Sequence, residues 1–154
     1  MAQQESGGRL FFPGLAGFYE TVAPWGYPLI RFIAGAIIIY HGWAKLFFGV
    51  APAVAKNVIA VLGVPAPLAV TYILALLECV GGALLALGLF VRPIALLLAI
   101  EFVVITGWHY SNGYFFSAPR GGYEYPLLLL VIYIGIFFRG AGEHSLDATI
   151  GKEF

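Results

Sequence analysis

Glu78 and Glu101 are carboxyl groups set in the middle of long apolar runs, and His41 and Lys45 stand one helical turn apart in another. Two acids, a base and an imidazole are the side chains needed to hold, share and pass a proton. Arg31 and His109 lie in or at the rim of the same runs. Placing one such group in hydrocarbon costs about 2.5–3.5 kcal/mol on insertion scales. Groups that bear this cost pair with one another, reach water or do chemistry.

A helix turns about 100° per residue, so Arg31, Gly35, His41, Gly42 and Lys45 share one third of its circumference. Small residues let backbones approach, and polar ones avoid lipid, so this face points into a bundle. Thr71, Ala75, Glu78, Gly82 and Leu85 form a second stripe, and Glu101 lies with Leu97, Ile105 and Trp108 on a third helix. The two carboxyls are then level in depth. Both cannot be ionised side by side in a low dielectric without a cation, and Lys45 is the natural one. The expected site is a buried polar network of Glu78, Glu101, Lys45 and His41, with His109 and Glu124 at its outer mouth. Its protons belong to the group rather than to single residues. Arg31, near the inner end, snorkels to headgroups or pairs with a tail carboxylate. A bland role stands beside this one: the same charges can simply fix helix register.

The 154 residues are 61% hydrophobic and 10% charged, whereas a soluble domain runs about 45–50% apolar and about 25% charged. The composition calls for a lipid bilayer. Net charge is zero, which leaves no basic footprint for nucleic acid. Cys79 is the only cysteine, so an internal disulfide and a CxxC couple are excluded. Its apolar setting suits a small core residue. No metal site is expected, because His41 has no second ligand at i+3 or i+4. The polar start and the late first apolar run argue against a cleaved signal peptide.

The elements that must position these groups are four apolar spans, at about 28–48, 67–90, 93–108 and 125–138. The expected fold is all-α: an integral membrane four-helix bundle with short interfacial helices. An interfacial segment covers residues 1–27, where polar residues and prolines break any long helix; a short helix fits 15–22. The transmembrane domain is 28–138 and the tail 139–154. Residues 54–62 suit a short surface helix, and Val91-Arg92-Pro93 a tight hairpin linker. Ser145-Leu146-Asp147 suits the start of a last helix. Four spans put both termini on one side, with Arg9, Arg31, Arg92, Arg139 and Lys152; Lys45, Lys56 and Arg120 face the other. Cytoplasmic loops collect Lys and Arg, so both termini are placed in the cytoplasm.

The motifs resemble the DoxX family of small bacterial membrane proteins. The first span carries Arg31-x3-Gly35, then His41-Gly42-x2-Lys45-Leu46. The second gives Glu78-x2-Gly81-Gly82 through Gly88-Leu89-Phe90, then Arg92. Glu101 follows, then His109-x3-Gly113-Tyr114-Phe115, Gly122-Tyr123-Glu124-Tyr125-Pro126 and Ser145-Leu146-Asp147. The resemblance covers residues 28–148. It implies a multi-pass four-helix bundle of the bacterial inner membrane, linked to redox physiology: the family is similar to a membrane subunit of thiosulfate:quinone oxidoreductase. The sequence has no flavin, haem or iron–sulfur signature. In redox chemistry its electron carrier is therefore a bound quinone or a partner's cofactor, and a stand-alone enzyme is not expected. Three readings follow. The first is a component of a quinone-linked system that binds a polar headgroup and moves protons. The second is a non-enzymatic anchor that recruits a redox-protein partner, and the third a small transporter. The small-residue stripes serve the bundle's own packing or a homo-oligomer.

Overall fold

A computed structural model describes residues 10–117 and 121–152, whose regular elements are all helices, without a strand. A single 3₁₀ turn, Pro13–Leu15, leads into α1, Ala16–Phe47. α2 starts as Ala51–Val54 and continues as a π turn, Ala55–Ile59. α3 spans Pro67–Leu87 with a π turn at Leu77–Gly81. α4 is Val91–Tyr110, α5 is Glu124–Arg139 and α6 is Leu146–Ile150. Three stretches are long and apolar enough to cross a membrane: Pro13–Phe47, Pro67–Leu87 and Val91–Tyr110. Arg9 and Arg120, two of the cations counted for orientation, lie outside the described residues, as do residues 1–8.

The sequence predicts a break before Pro28, but α1 runs unbroken through Pro24 and Pro28. Each proline deletes one backbone bond, a cost of about 3 kcal/mol in a helix interior. The tail offsets this by gripping the same segment. Tyr27 Oη donates to the Gly140 carbonyl, and the Trp25 ring lies 4.5 Å from that of His144. The hairpin also sits elsewhere than expected. The chain reverses at Gly88-Leu89-Phe90, and Val91-Arg92-Pro93 is already the first turn of α4. Gly88 adopts φ +77°, and Leu89 N–H reaches back to Leu84 O at 2.8 Å. This is the 6→1 bond of a glycine-terminated helix. Pro93 is harmless in a first turn, where its missing N–H needs no partner.

The helices meet through their small residues. α1 crosses α3 with Gly35 against Gly82 and Ala86, and Gly42 against Ala75 and Cys79. A methyl group added at Gly42 would sit 2.6 Å from Ala75 O and 2.7 Å from Cys79 N. α5 packs along α4, with the Phe102 and Tyr133 rings 5.3 Å apart and edge-to-face. Tyr133 Oη donates to Ala34 O at 3.2 Å, tying α5 to α1. Ile38, Leu85, Leu98, Leu129 and Ile136 fill the space between, fully buried. Ile30, Ile73, Ile100 and Val131 face outward and are exposed. A continuous apolar exterior of this kind belongs in lipid.

The crossing predicts a contrast. Gly42→Ala must push two backbones apart and should cost about 1–3 kcal/mol, the range for overpacking. Gly107→Ala, in open space, should be neutral or gain up to about 1 kcal/mol from helix propensity. Unfolding midpoints in mixed detergent measure both.

Candidate functional site

Lys45, in the last turn of α1, forms an ion pair with Glu78 on α3. The crossing at Gly42 makes this pairing possible. Where a side chain at Gly42 would stand, the Glu78 Cβ lies 2.8 Å away, so α1 settles directly onto the turn that carries the acid. Glu78 sits in the π turn Leu77–Gly81. Such an extra residue locally re-aims side chains and is frequent at functional sites. Glu78 is 1% exposed, while the Lys45 side chain keeps 16% of its surface open. The pair therefore opens toward the outside along the Lys45 stem.

Glu101, 7% exposed on α4, lies in side-chain hydrogen-bonding reach of Glu78 and in the field of Lys45. Its Oε2 is buried and has no partner among the described residues. Leaving such an acceptor unmet costs about 1–3 kcal/mol. The structure thus brings Lys45, Glu78 and Glu101 together. Cys79 adjoins the cluster and is spent on packing, its Sγ 3.6 Å from Ile39 O.

His41 stands apart from the expected buried network. It is exposed on α1, its ring 6.3 Å from that of Tyr125. The cause is angular. Gly42 occupies the middle of the helix contact, so the residue before it points past the edge. His41 remains within electrostatic range of Glu78 and Lys45, at the rim. His109 and Glu124, expected at the outer mouth, fasten the loop after α4. His109 Nδ1 donates to Gly121 O at 2.9 Å, the tautomer that a carbonyl partner requires. Glu124 Oε1 accepts from Phe116 N–H at 2.8 Å. Among the described residues no group of three His, Cys, Asp or Glu side chains is placed to hold a metal ion.

A second polar centre forms at the other end. Arg31 is 3% exposed, far too buried to snorkel; it donates to tail carbonyls and lies in the field of the tail carboxylate Asp147. One guanidinium nitrogen donates to Ala141 O and the other to His144 O at 2.8 Å. Asp147, 1% exposed, accepts from Phe90 N–H at 3.0 Å and Val91 N–H at 3.2 Å. A residue from the tail thereby caps α4, whose own first residues offer no side-chain acceptor. An anion placed there also meets the positive end of the helix dipole. Sequence reasoning used Asp147 only as the start of a last helix. The signal was present: an acid in a short polar tail, and a hairpin turn with no capping residue of its own.

A family model described as DoxX matches residues 26–111. A Haemophilus influenzae protein described as uncharacterized is 31% identical over 146 residues, covering 87% of this chain and 97% of that one. No solved structure matches.

Removing one partner of a buried ion pair strands the other, at about 3–5 kcal/mol. Lys45→Met should therefore lower stability by that order, and Glu78→Gln added to it should recover much of the loss. A double-mutant cycle on unfolding midpoints reads the coupling; simple additivity would mean that the pair contributes nothing.

Proposed function

This chain belongs to the DoxX family, and we propose that it is the membrane-embedded component of a quinone-linked redox system. In this reading the cluster of Lys45, Glu78 and Glu101 binds a small polar or quinone-type headgroup and exchanges protons with it. The observation that carries the reading is the buried Glu101 oxygen without a partner, set against an ion pair whose lysine is open to the outside.

The donor set suits such a guest. One cation and two carboxyls reach neutrality when they hold a single proton, and a dry site favours neutrality. The cluster is thus a one-proton store with a hydrogen-bond donor, Lys45 Nζ, at its open side. A carbonyl-bearing ring would accept from Lys45, while the unmet Glu101 oxygen would accept from a hydroxyl. When bound, a quinone supplies the two-electron, two-proton couple, with electrons from a redox partner. The chain's own share is to bind, to orient and to hand over a proton between Glu101 and the rim at His41.

The finer architecture belongs to the same proposal. α5 is about 24 Å long at 1.5 Å per residue, short against a hydrocarbon core of about 30 Å. Its exposed Leu128, Val131 and Phe138 nevertheless suit lipid. With α5 as a fourth span the chain is a multi-pass four-helix bundle of the bacterial inner membrane. Both termini are then cytoplasmic, and Arg31, Arg92, Arg139 and Lys152 lie on that side.

The test is binding of a short-chain quinone analogue to the purified chain in nanodiscs. Glu101→Gln and Glu78→Gln should each weaken binding about tenfold, equivalent to one charge-assisted hydrogen bond. Lys56→Gln, on α2, should leave it unchanged. Absence of any binding, or equal affinity in all the variants, refutes the quinone reading.

A further inference from the structure

α1 is too long for the membrane that fits its neighbours. α3 and α4 hold 21 and 20 residues, about 30 Å of helix, which matches the hydrocarbon core. Their connecting turn packs on Arg31, whose Nη2 lies 2.7 Å from where a Gly88 side chain would start. α1 continues past Arg31 to Ala16, about 22 Å farther at 1.5 Å per residue. The headgroup layer is only about 5–8 Å deep on each side, so the first turns of α1 stand in water. Their composition does not suit water. Residues 17–26 are all exposed, and Glu20 is the one charged side chain among them.

The apolar residues of this projection follow a pattern. Phe18, Val22, Trp25, Leu29 and Phe32 recur in alternating steps of four and three, and they are 40–61% exposed. This is the seam spacing with which one helix meets another in a coiled coil. Val22, Trp25, Gly26 and Leu29 stand at i, i+3, i+4 and i+7, the four corners of a hole that receives one side chain from a facing helix. An apolar hollow of about 480 Å³ is lined by these four with Pro28 and Phe32. In a parallel pair the side chain that fills this hole is Trp25 of the second helix, and the His144 ring, 4.5 Å away, already steadies that indole. We propose that the α1 seam pairs two copies of this chain about a two-fold axis along the membrane normal, with each Trp25 seated in the hollow of the other copy.

Symmetry, charge and area single out this occupant. Copies inserted with one orientation present the seam in parallel, so each residue meets its own counterpart. Glu20 lies about 200° around the helix from Phe18, and the pairing brings no like charges together. Five residues with on the order of 100 Å² each to bury give about 1,000 Å² over two copies, the area at which specific interfaces begin. Lipid covers only the part of the seam inside the bilayer. The pairing lies at the far end of α1 from Lys45 and stands or falls separately from the quinone reading.

The experiment uses the full chain in liposomes. In a Cys79→Ala background, Val22→Cys should give a disulfide-linked dimer under copper phenanthroline and oxygen, whereas Glu20→Cys, on the far side of the helix, should stay monomeric. Single-molecule photobleaching of chains labelled at the N-terminus, at falling protein-to-lipid ratio, reads the affinity. Trp25→Ala should weaken association about thirtyfold, the loss expected of a central interface residue, and Lys56→Gln should leave it unchanged. Val22 stands clear of the bundle, so its variant reads the interface even if Trp25→Ala loosens the tail. Monomers at every dilution overturn the proposal, whether lipid or another protein then covers the seam. Cross-linking at Glu20→Cys as fast as at Val22→Cys overturns it too, as does unchanged association in Trp25→Ala.

Discussion

Charge inside an apolar assembly must be answered locally, and this constraint organises the whole molecule. Glu78 is answered by Lys45. Arg31 is answered by carbonyls of the tail, and Asp147 by the amides that open α4. Each answer comes from a different segment of the chain. The polar contacts therefore act as cross-ties between helices whose apolar surfaces alone would slide. Hydrocarbon gives little preference for one helix register over another, because lipid tails are as apolar as leucine. A charged pair does, because every other register leaves a charge unmet.

The glycines make these ties reachable. Between Gly35 and Gly42 the α1 backbone lies directly on α3. A bulkier seam would lift Lys45 away from the acid, so backbone approach and charge pairing are two sides of one contact. The π turn at Leu77–Gly81 adds the last adjustment. It faces Gly42 through Glu78 and Cys79 and carries the acid. On the far side of the acid, Glu101 is left with one oxygen unmet. Arg31 Nε and Thr106 Oγ1 are likewise buried without a partner among the described residues, but only the Glu101 oxygen lies beside an accessible lysine.

Much of this was legible in the residues. Composition fixed the membrane class, and the 100° helical projection placed Gly35, Gly42 and Lys45 on one face. The projection also set the two acids at one depth. It misplaced His41 because a wheel treats a face as a wide sector, whereas the contact at Gly42 is narrow. The supposed break before Pro28 failed for another reason. Local proline chemistry was outweighed by a tail more than a hundred residues away, through Tyr27 and Gly140. The Asp147 cap left only two separate signals, an acid in the tail and an uncapped hairpin, and local pattern could not join them across 56 and 57 residues. The hairpin was shifted by three residues because a left-handed Gly88 ends α3 before the more conspicuous Arg92-Pro93.

That long separation also bears on how the chain is made. Ribosomal synthesis delivers α4 well before the tail, so its opening amides emerge without the carboxylate that later closes them. Until then α1, α3 and α4 have no common clasp at the Gly88 end of the molecule. The assembly is thus sealed from one end, only after α5 has been made, and each apolar segment can enter the bilayer and find its neighbours before the structure locks.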